Sequence, residues 1–321
     1  MNDLHADIIL FDTVGSPYTG ETVITNAMGG SEFQAILLLE EFAKLGKKVI
    51  CLNNTKIEKS FNNVLYLPNT SIFKYNIKCN HLILHRNSII PKIPHKYCYQ
   101  WITDNNSSFN LSYYNYLNDK KIKLITLSQY SNEQFANDWD KHVINFMIPD
   151  WVYQYKIPEN KQDFIYASSI MKGYHETINH WKFLKQNNKF KNKILNVCLP
   201  GYDNPENDIS ESDFNIKYHG SLTFKQVIDL MASCKGLFYV NCMTETFCLT
   251  AVLAEILQTT PYIYCMNGYG ALKEVLNSDT IVKNSKDFFE HLNSGNPIKT
   301  NPKNYQVKKI MNEWIKVINL T

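Results

Sequence analysis

The chain alternates short, wholly apolar runs with longer amphipathic ones. Ala6–Asp12 (ADIILFD), Val49–Leu52, Leu237–Val240 and Tyr262–Cys265 are too continuously apolar to leave a wet face. That pattern predicts strands covered on both sides, as in a parallel sheet. Between the first two lies GGSEFQAILLLEEFAKLG, with Phe33, Ile36, Leu37 and Phe42 near helical spacing and Gly46 as a stop. The first fifty residues therefore read as one βαβ unit. Further strands are expected at Val64–Leu67, His81–Leu84, Tyr97–Ile102, Lys123–Leu127 and Val143–Met147. Ile148–Asp163 has prolines at 149 and 158 and no clear period, which marks a domain boundary. The pattern then restarts with a strand at Phe164–Ala167 and a helix bearing Ile178, Trp181 and Leu184. Strands at Ile194–Leu199 and Ile216–Tyr218 and a helix at Phe224–Ser233 follow. From Gly236 to Leu276 the order is strand, loop with Glu245, helix from about Phe247 to Gln258, strand, and a loop (Gly268, Gly270) opening another helix. In the tail, Val307, Ile310, Met311, Trp314 and Ile318 share one side of an amphipathic helix. The expected organisation is α/β, with domains at 1–150 and 151–303 and a terminal helix at 304–321.

Composition narrows the function classes. A net charge of +3 with pI near 8.2 is too mild to argue for nucleic acid or an anionic membrane surface. The eight cysteines form no C-x-x-C and mostly fall in apolar runs, as small buried hydrophobes do in a reducing compartment. The N-terminus lacks a basic leader region and no run approaches the roughly 18 apolar residues of a membrane span. A cytoplasmic location is expected. His81 and His85 straddle a strand without a third ligand, so no metal site is expected there. Aromatics, at 13%, are assigned to core packing.

In parallel sheets ligands bind beyond the carboxyl ends of the strands. In the first half, Gly29 and Gly30 precede Ser31 and Glu32 at a helix start, while Arg86, Asp104 and Ser128 lie just past strand ends. These residues also have plain readings: a turn, an N-cap at Ser31, a loop tie at Arg86. In the second half, Lys172 precedes Gly173, Gly220 precedes Ser221, Glu245 precedes a helix, and Gly268 to Gly270 open another. A cation, glycines that permit close approach and helix N-termini suit an anion such as a diphosphate. Glu245 opposes a phosphate and is better used to accept hydrogen bonds from hydroxyls, as on a sugar. The alternatives are a solvated Lys172, a Glu245 that only complements a helix dipole, and plain turn chemistry at Gly268 to Gly270. G-x-G-x-x-G is missing, which argues against a nicotinamide-binding Rossmann domain.

Taken together, the pieces resemble the retaining GT-B glycosyltransferases of the glycogen-synthase-like family 4. The resemblance rests on Met28–Glu32 (MGGSE) with a helix ending Leu45–Val49 (LGKKV), Phe164–Gly173 (FIYASSIMKG), Tyr218–Ser221 (YHGS), Tyr239 through Glu245–Ala251 (ETFCLTA), Pro261, and Gly268 through Ala271–Val275 (ALKEV). Their order matches along about three hundred residues. The resemblance implies two facing Rossmann-like domains with parallel sheets and a C-terminal helix crossing back to the first domain. It also implies an acceptor held by the first domain and a nucleotide-sugar, UDP- or GDP-linked, by the second, with no cofactor and no metal. Carried over by position, Lys172 neutralises the diphosphate and Glu245 holds the sugar hydroxyls. The N–H groups of Phe247, Cys248 and Leu249 bind a phosphate. Ser169, Gly173, Gly220, Ser221, Gly268 and Gly270 complete the donor side, and Gly29, Gly30, Arg86 and Asp104 the acceptor side.

Three departures stand out. The family's second acid, eight positions after the first, is Leu253 here. The nearest acid, Glu255, lies two residues further on, a rotation of about 200° around a helix. The basic residue often found before the Lys-Gly pair is Ser168 or Ser169, and the acceptor-side histidine corresponds roughly to Thr103, beside Asp104. The expected function is metal-independent, retaining transfer of a hexose or N-acetylhexosamine to a glycan or small acceptor. The alternative is a degenerate domain that binds a sugar nucleotide or a partner without turnover.

Overall fold

The computed structural model describes residues 2–86, 89–104, 121–203, 212–277, 281–294 and 302–320. The chain is α/β and divides into two compact units: Met1–Val23, Gly30–Met147 and Tyr305–Thr321 form the first, and Ile24–Gly29 with Ile148–Asn304 the second. The main break falls between Met147 and Ile148. The grouping of Ile24–Gly29 with the second unit had no sequence signal.

The first unit holds eight strands: β1 (Asp3–Phe11), β2 (Val49–Asn53), β3 (Lys59–Phe61), β4 (Val64–Pro68), β5 (Asn76–His85), β6 (His95–Trp101), β7 (Lys123–Thr126) and β8 (Lys141–Val143). Their order is β3-β4-β2-β1-β5-β6-β7-β8, parallel except for the β3–β4 edge pair. Ile8, Ile9 and Leu10 of β1 are fully buried, as expected for a central strand. The helix Gly30–Lys44 covers one face, with Ala35, Leu38, Leu39 and Phe42 inside. Ser31 lies within this helix rather than capping it. The strand expected at Val143–Met147 is displaced to Lys141–Val143. Beyond it, the Gln34 amide donates to the Met147 carbonyl (2.7 Å) and accepts from the Met147 N–H (2.8 Å), so one side chain supplies both bonds a ladder would give. The helix Val307–Ile318 belongs to this unit. Its Trp314 packs edge-on to Trp101 (5.2 Å) and Phe42 (6.3 Å), and Tyr99 Oη donates to the Ile318 carbonyl at 3.3 Å.

The second unit is a six-stranded, all-parallel sheet: β9 (Phe164–Ala167), β10 (Leu195–Cys198), β11 (Ile216–Tyr218), β12 (Gly236–Asn241), β13 (Thr260–Cys265) and β14 (Ile281–Val282), in the order β11-β10-β9-β12-β13-β14. Helices Tyr174–Leu184, Phe224–Ser233, Leu249–Ile256 and Ser285–Ser294 accompany it. The second of these starts with a reciprocal capping box between Thr223 and Gln226. Phe164, Trp181, Phe238 and Phe288 form a buried aromatic core.

Chain direction across the sheet reverses between β1 and β5 in the first unit and between β9 and β12 in the second. Such switch points open a crevice at the carboxyl edge of the sheet. Among the described residues no helix is long and apolar enough to cross a membrane.

Candidate functional site

At the switch point of the second unit, two loops are joined. The chain leaves β9 in a short 3-10 turn, Ile170–Lys172, whose Ser169 hydroxyl accepts from the Met171 N–H at 3.3 Å. Gly173 then takes a left-handed φ of 112°, and a Cβ there would lie 2.0 Å from the Val240 carbonyl oxygen. Only glycine lets the turn lie this close to β12. The Lys172 carbonyl accepts from Cys242 N–H (3.2 Å). Thr177, fully buried, donates to the Gly173 carbonyl (2.8 Å) and accepts from Val240 N–H (3.1 Å). These bonds fix the residue after β9 beside the loop after β12.

The consequence is an ion pair. Lys172 Nζ lies 2.9 and 3.1 Å from the two Glu245 carboxylate oxygens. The Glu245 side chain is 4% exposed and that of Lys172 is 38% exposed, so the acid is the floor of the site and the cation its approachable side. Burial works against the Lys172 ammonium, but the Glu245 charge outweighs it and raises its pKa. Tyr239 Oη donates to Glu245 Oε1 at 2.9 Å and lies 3.2 Å from Asn241 Oδ1. Burial first, then the Glu245 charge, raise the Tyr239 pKa far above its usual value, so the phenol stays a donor. Asn241 Oδ1 also accepts from the Met243 N–H at 3.0 Å, which fixes the orientation of its amide. Asn241 Nδ2 is buried without a partner, a state that costs about 1–3 kcal/mol.

The glycine loop meets the same acid from the other side. Gly270 has φ 53°, and a Cβ on it would fall 2.4 Å from the Glu245 carbonyl oxygen, which accepts from Ala271 N–H at 2.9 Å. Gly268 is also left-handed but has open space around it. The helix this loop opens is a single turn, Leu272–Val275. The helix after Glu245 begins at Leu249, two residues later than expected, because Cys248 takes a left-handed φ of 64°. In its first turn the Ala251 and Val252 N–H groups bond the Cys248 carbonyl (3.1 and 3.2 Å), and those of Leu249 and Thr250 precede these bonds. Thr250 Oγ1 donates to the Ala167 carbonyl at 2.8 Å and ties that first turn to the end of β9.

The structure therefore brings together Lys172, Gly173, Glu245, Cys248, Leu249 and Gly270, with Phe247 buried behind them. Ser169 is spent on its own turn. Gly220 and Ser221 follow β11 at the edge of the sheet, three strands from β12, or about 14 Å at ordinary strand spacing. Leu253 is buried at 3% exposure. Glu255 accepts from Asn277 N–H at 2.9 Å, and burial pushes its pKa up to about 7 against the opposing effects of that bond and of Lys303. Tyr239 and Asn241 carried no sequence expectation of their own. Their signal was two polar groups at i and i+2, on one face of the end of an apolar strand.

The acceptor-side candidates fare differently. Arg86 ends β5 with a left-handed φ of 61°, held by its N–H to the Trp101 carbonyl (2.9 Å). Its guanidinium is buried, 2.7 Å from Glu32 and 3.8 Å from Asp12. Burial opposes that charge, yet Asp12 and Glu32 raise its pKa. Asp12 also accepts from Tyr18 (3.2 Å) and is bonded to His85 Nδ1 (2.9 Å), whose ring stacks on Trp101. His85 Nε2 in turn lies 3.5 Å from Thr103 Oγ1. Asp104 is exposed, Gly29 is buried and Gly30 starts its helix; neither of these glycines is left-handed.

Two α/β units, each with a predominantly parallel sheet, match the GT-B fold found among glycosyltransferases. Solved structures bear this out. HepE from Anabaena, determined with UDP and glucose, superposes with a TM-score of 0.64 at 13% identity, covering 99% of this chain and 100% of HepE. WaaG, a glycosyltransferase involved in lipopolysaccharide biosynthesis, gives 0.63 at 12% identity over 97% of this chain and 94% of WaaG. AviGT4, a glycosyltransferase involved in avilamycin A biosynthesis, gives 0.60 at 11% identity, covering 97% of each chain. No family profile matches the sequence, and no curated protein matches it.

Proposed function

We propose that this chain is a glycosyltransferase that moves a hexose or N-acetylhexosamine from a nucleotide diphosphate to a glycan or small-molecule acceptor, with retention of configuration and without a metal ion. The observation that carries the reading is the Lys172–Glu245 pair at the switch point between β9 and β12. An ammonium has three N–H donors, so Lys172 can hold the carboxylate and a phosphoryl oxygen together. The Leu249 and Thr250 N–H groups at the start of Leu249–Ile256 are offered to the same anion. Charge builds on the diphosphate as the sugar leaves, and each well-aimed donor in a dry site is worth roughly 3 kcal/mol of rate. Glu245, held by Lys172 and Tyr239, accepts from the sugar hydroxyls. Solved complexes of HepE with UDP and with UDP-glucose support a nucleotide-sugar donor. In the first unit the acceptor-side role falls to Gly30 and Asp104 rather than to Arg86, whose guanidinium is committed to Glu32 and Asp12. With Leu253 buried and Glu255 bound to Asn277, neither serves as the family's ribose-binding acid.

Assay of the chain against UDP-, GDP- and ADP-sugars with a panel of acceptors, with the product anomer read by NMR, tests the proposal. Turnover with retention is expected. A thermal shift with UDP or GDP but no turnover of any donor points instead to a degenerate, binding-only domain.

A further inference from the structure

The network behind Glu245 has a part that the ion pair does not use. Tyr239 and Asn241 lie two residues apart on β12, so both point to the same side of the strand. The phenol has one proton and two acceptors in range, Glu245 Oε1 at 2.9 Å and Asn241 Oδ1 at 3.2 Å. The Asn241 amide cannot be turned over, because its oxygen faces the Met243 N–H at 3.0 Å and a nitrogen there would set two donors against each other. The Nδ2 group is therefore a donor of fixed direction, buried and unpartnered, one phenol oxygen away from a carboxylate.

Resting on the glycosyltransferase reading, we propose that Asn241 is a specificity-determining residue of the donor site, its Nδ2 donating to one sugar hydroxyl while Glu245 accepts from the neighbouring one. A carboxylate and an amide side by side form an acceptor and a donor, the complement of two adjacent hydroxyls on a pyranose ring. Such a pair rejects a sugar that lacks either hydroxyl, because the loss leaves a buried group unpaired. Glu245 and Asn241 are both buried, at 4% and 1% exposure, and Tyr239 Oη links them at 2.9 and 3.2 Å, so the amide belongs to the network that holds the carboxylate. Lys172 lies on the phosphate side of this arrangement and does not read the ring.

Isothermal titration decides the matter. The wild-type chain is titrated with UDP, GDP and their glucose, galactose, mannose and N-acetylglucosamine conjugates, and the tightest sugar nucleotide is carried forward with its 3-deoxy and 4-deoxy analogues. Asn241→Ala should bind that donor at least tenfold more weakly while holding the bare nucleotide diphosphate within twofold of wild type. One deoxy analogue should bind wild type and variant equally. Unchanged donor affinity in Asn241→Ala overturns the inference, as does a parallel loss of bare nucleotide, which marks Asn241 as structural support only. The analogues test the wild-type protein directly, so a variant that folds poorly does not shelter the proposal: equal wild-type affinity for the parent donor and both analogues overturns it. If the wild-type chain binds no sugar nucleotide at all, the glycosyltransferase reading falls, and this inference with it.

Discussion

Both units place a carboxylate and a cation at the switch point of a parallel sheet, yet the two pairs are built for different work. In the first unit Arg86 is 7% exposed and stands between Glu32 and Asp12, and Asp12 is itself bonded to His85 and Tyr18. Gly15 closes over it so tightly that a Cβ there would lie 2.2 Å from Arg86 Nη1. One guanidinium stands between two carboxylates, its Nε and Nη2 buried without a well-formed hydrogen bond, and the loop above closes on it. In the second unit a single cation meets a single acid, and the cation is 38% exposed. One arrangement locks loops together; the other leaves a charged group within reach of a ligand. Position at a switch point is thus not enough to mark a binding residue. What separates the two is whether the cation is buried between acids or partly open to solvent.

Removal of each cation should expose the contrast most strongly. Arg86→Met leaves Asp12 and Glu32 buried without compensation, and breaking a buried pair in this way costs about 3–5 kcal/mol. Urea unfolding followed by tryptophan fluorescence reads the loss, since Trp101 stacks against His85 in this cluster. A loss below about 1 kcal/mol would show that the cluster is not the lock described. In the second unit the larger effect is on chemistry. Glu245→Gln should lower transfer at least about 100-fold, or roughly 2.7 kcal/mol in the barrier, with nucleotide diphosphate affinity within twofold. Lys172→Ala should weaken nucleotide diphosphate binding itself. Equal effects of the two substitutions on binding would erase the division of roles between acid and cation.

How much of this contrast can be read from sequence depends on distance along the chain. The strands were legible because apolar runs such as Leu237–Val240 have only one reading when they alternate with helices. The pairing of Lys172 with Glu245 was within reach of the sequence because each follows such a run. The burial of Arg86 between two acids was not, since Asp12, Glu32 and Arg86 lie in three separate elements that only the folded sheet brings together. The course beyond β8 is of the same kind: Ile144 N–H still bonds the Thr126 carbonyl, but Met147 pairs with the side chain of Gln34, 113 residues away. Glu255 shows where geometry alone sufficed. The rotation that turns it away from the ligand-side position of Leu253 leads to its bond with Asn277 N–H.

Glu255 also sharpens the comparison, as a buried acid that accepts from a backbone N–H and feels the charge of Lys303. Its carboxyl is raised from about 4.5 to about 7 by burial, despite the Asn277 N–H and Lys303. The folded state therefore binds this proton more tightly than the unfolded chain does. Stability from this group is fully present below pH about 4.5 and is lost as pH rises through about 7, by at most about 3 kcal/mol. Glu255→Gln keeps an oxygen for Asn277 N–H and removes the charge. At pH 8 it should be more stable than wild type by about 1–2 kcal/mol, with the gain shrinking towards pH 5. A variant less stable than wild type at pH 8 would mean that a counter-charge outweighs the burial of the carboxylate, which would then belong with the Arg86 cluster.

The smallest expected effect is that of salt. A pair with an exposed member is screened by ions in solution, whereas a sealed pair is screened far less. Coupling energies from double-mutant cycles, Lys172→Met with Glu245→Gln and Arg86→Met with Glu32→Gln, isolate each pair from the rest of the fold. Between about 0.05 and 0.5 M NaCl, where the Debye length falls to a few ångströms, the Lys172–Glu245 coupling should drop by a few tenths of a kcal/mol, in the range of surface pairs. The Arg86–Glu32 coupling should stay constant within about 0.2 kcal/mol, because ions reach neither partner. Equal salt dependence would place both pairs in the same class. The distinction between a locking cluster and a ligand-accessible site would then have to rest on the neighbours of Glu245, Tyr239 and Asn241, rather than on the exposure of Lys172.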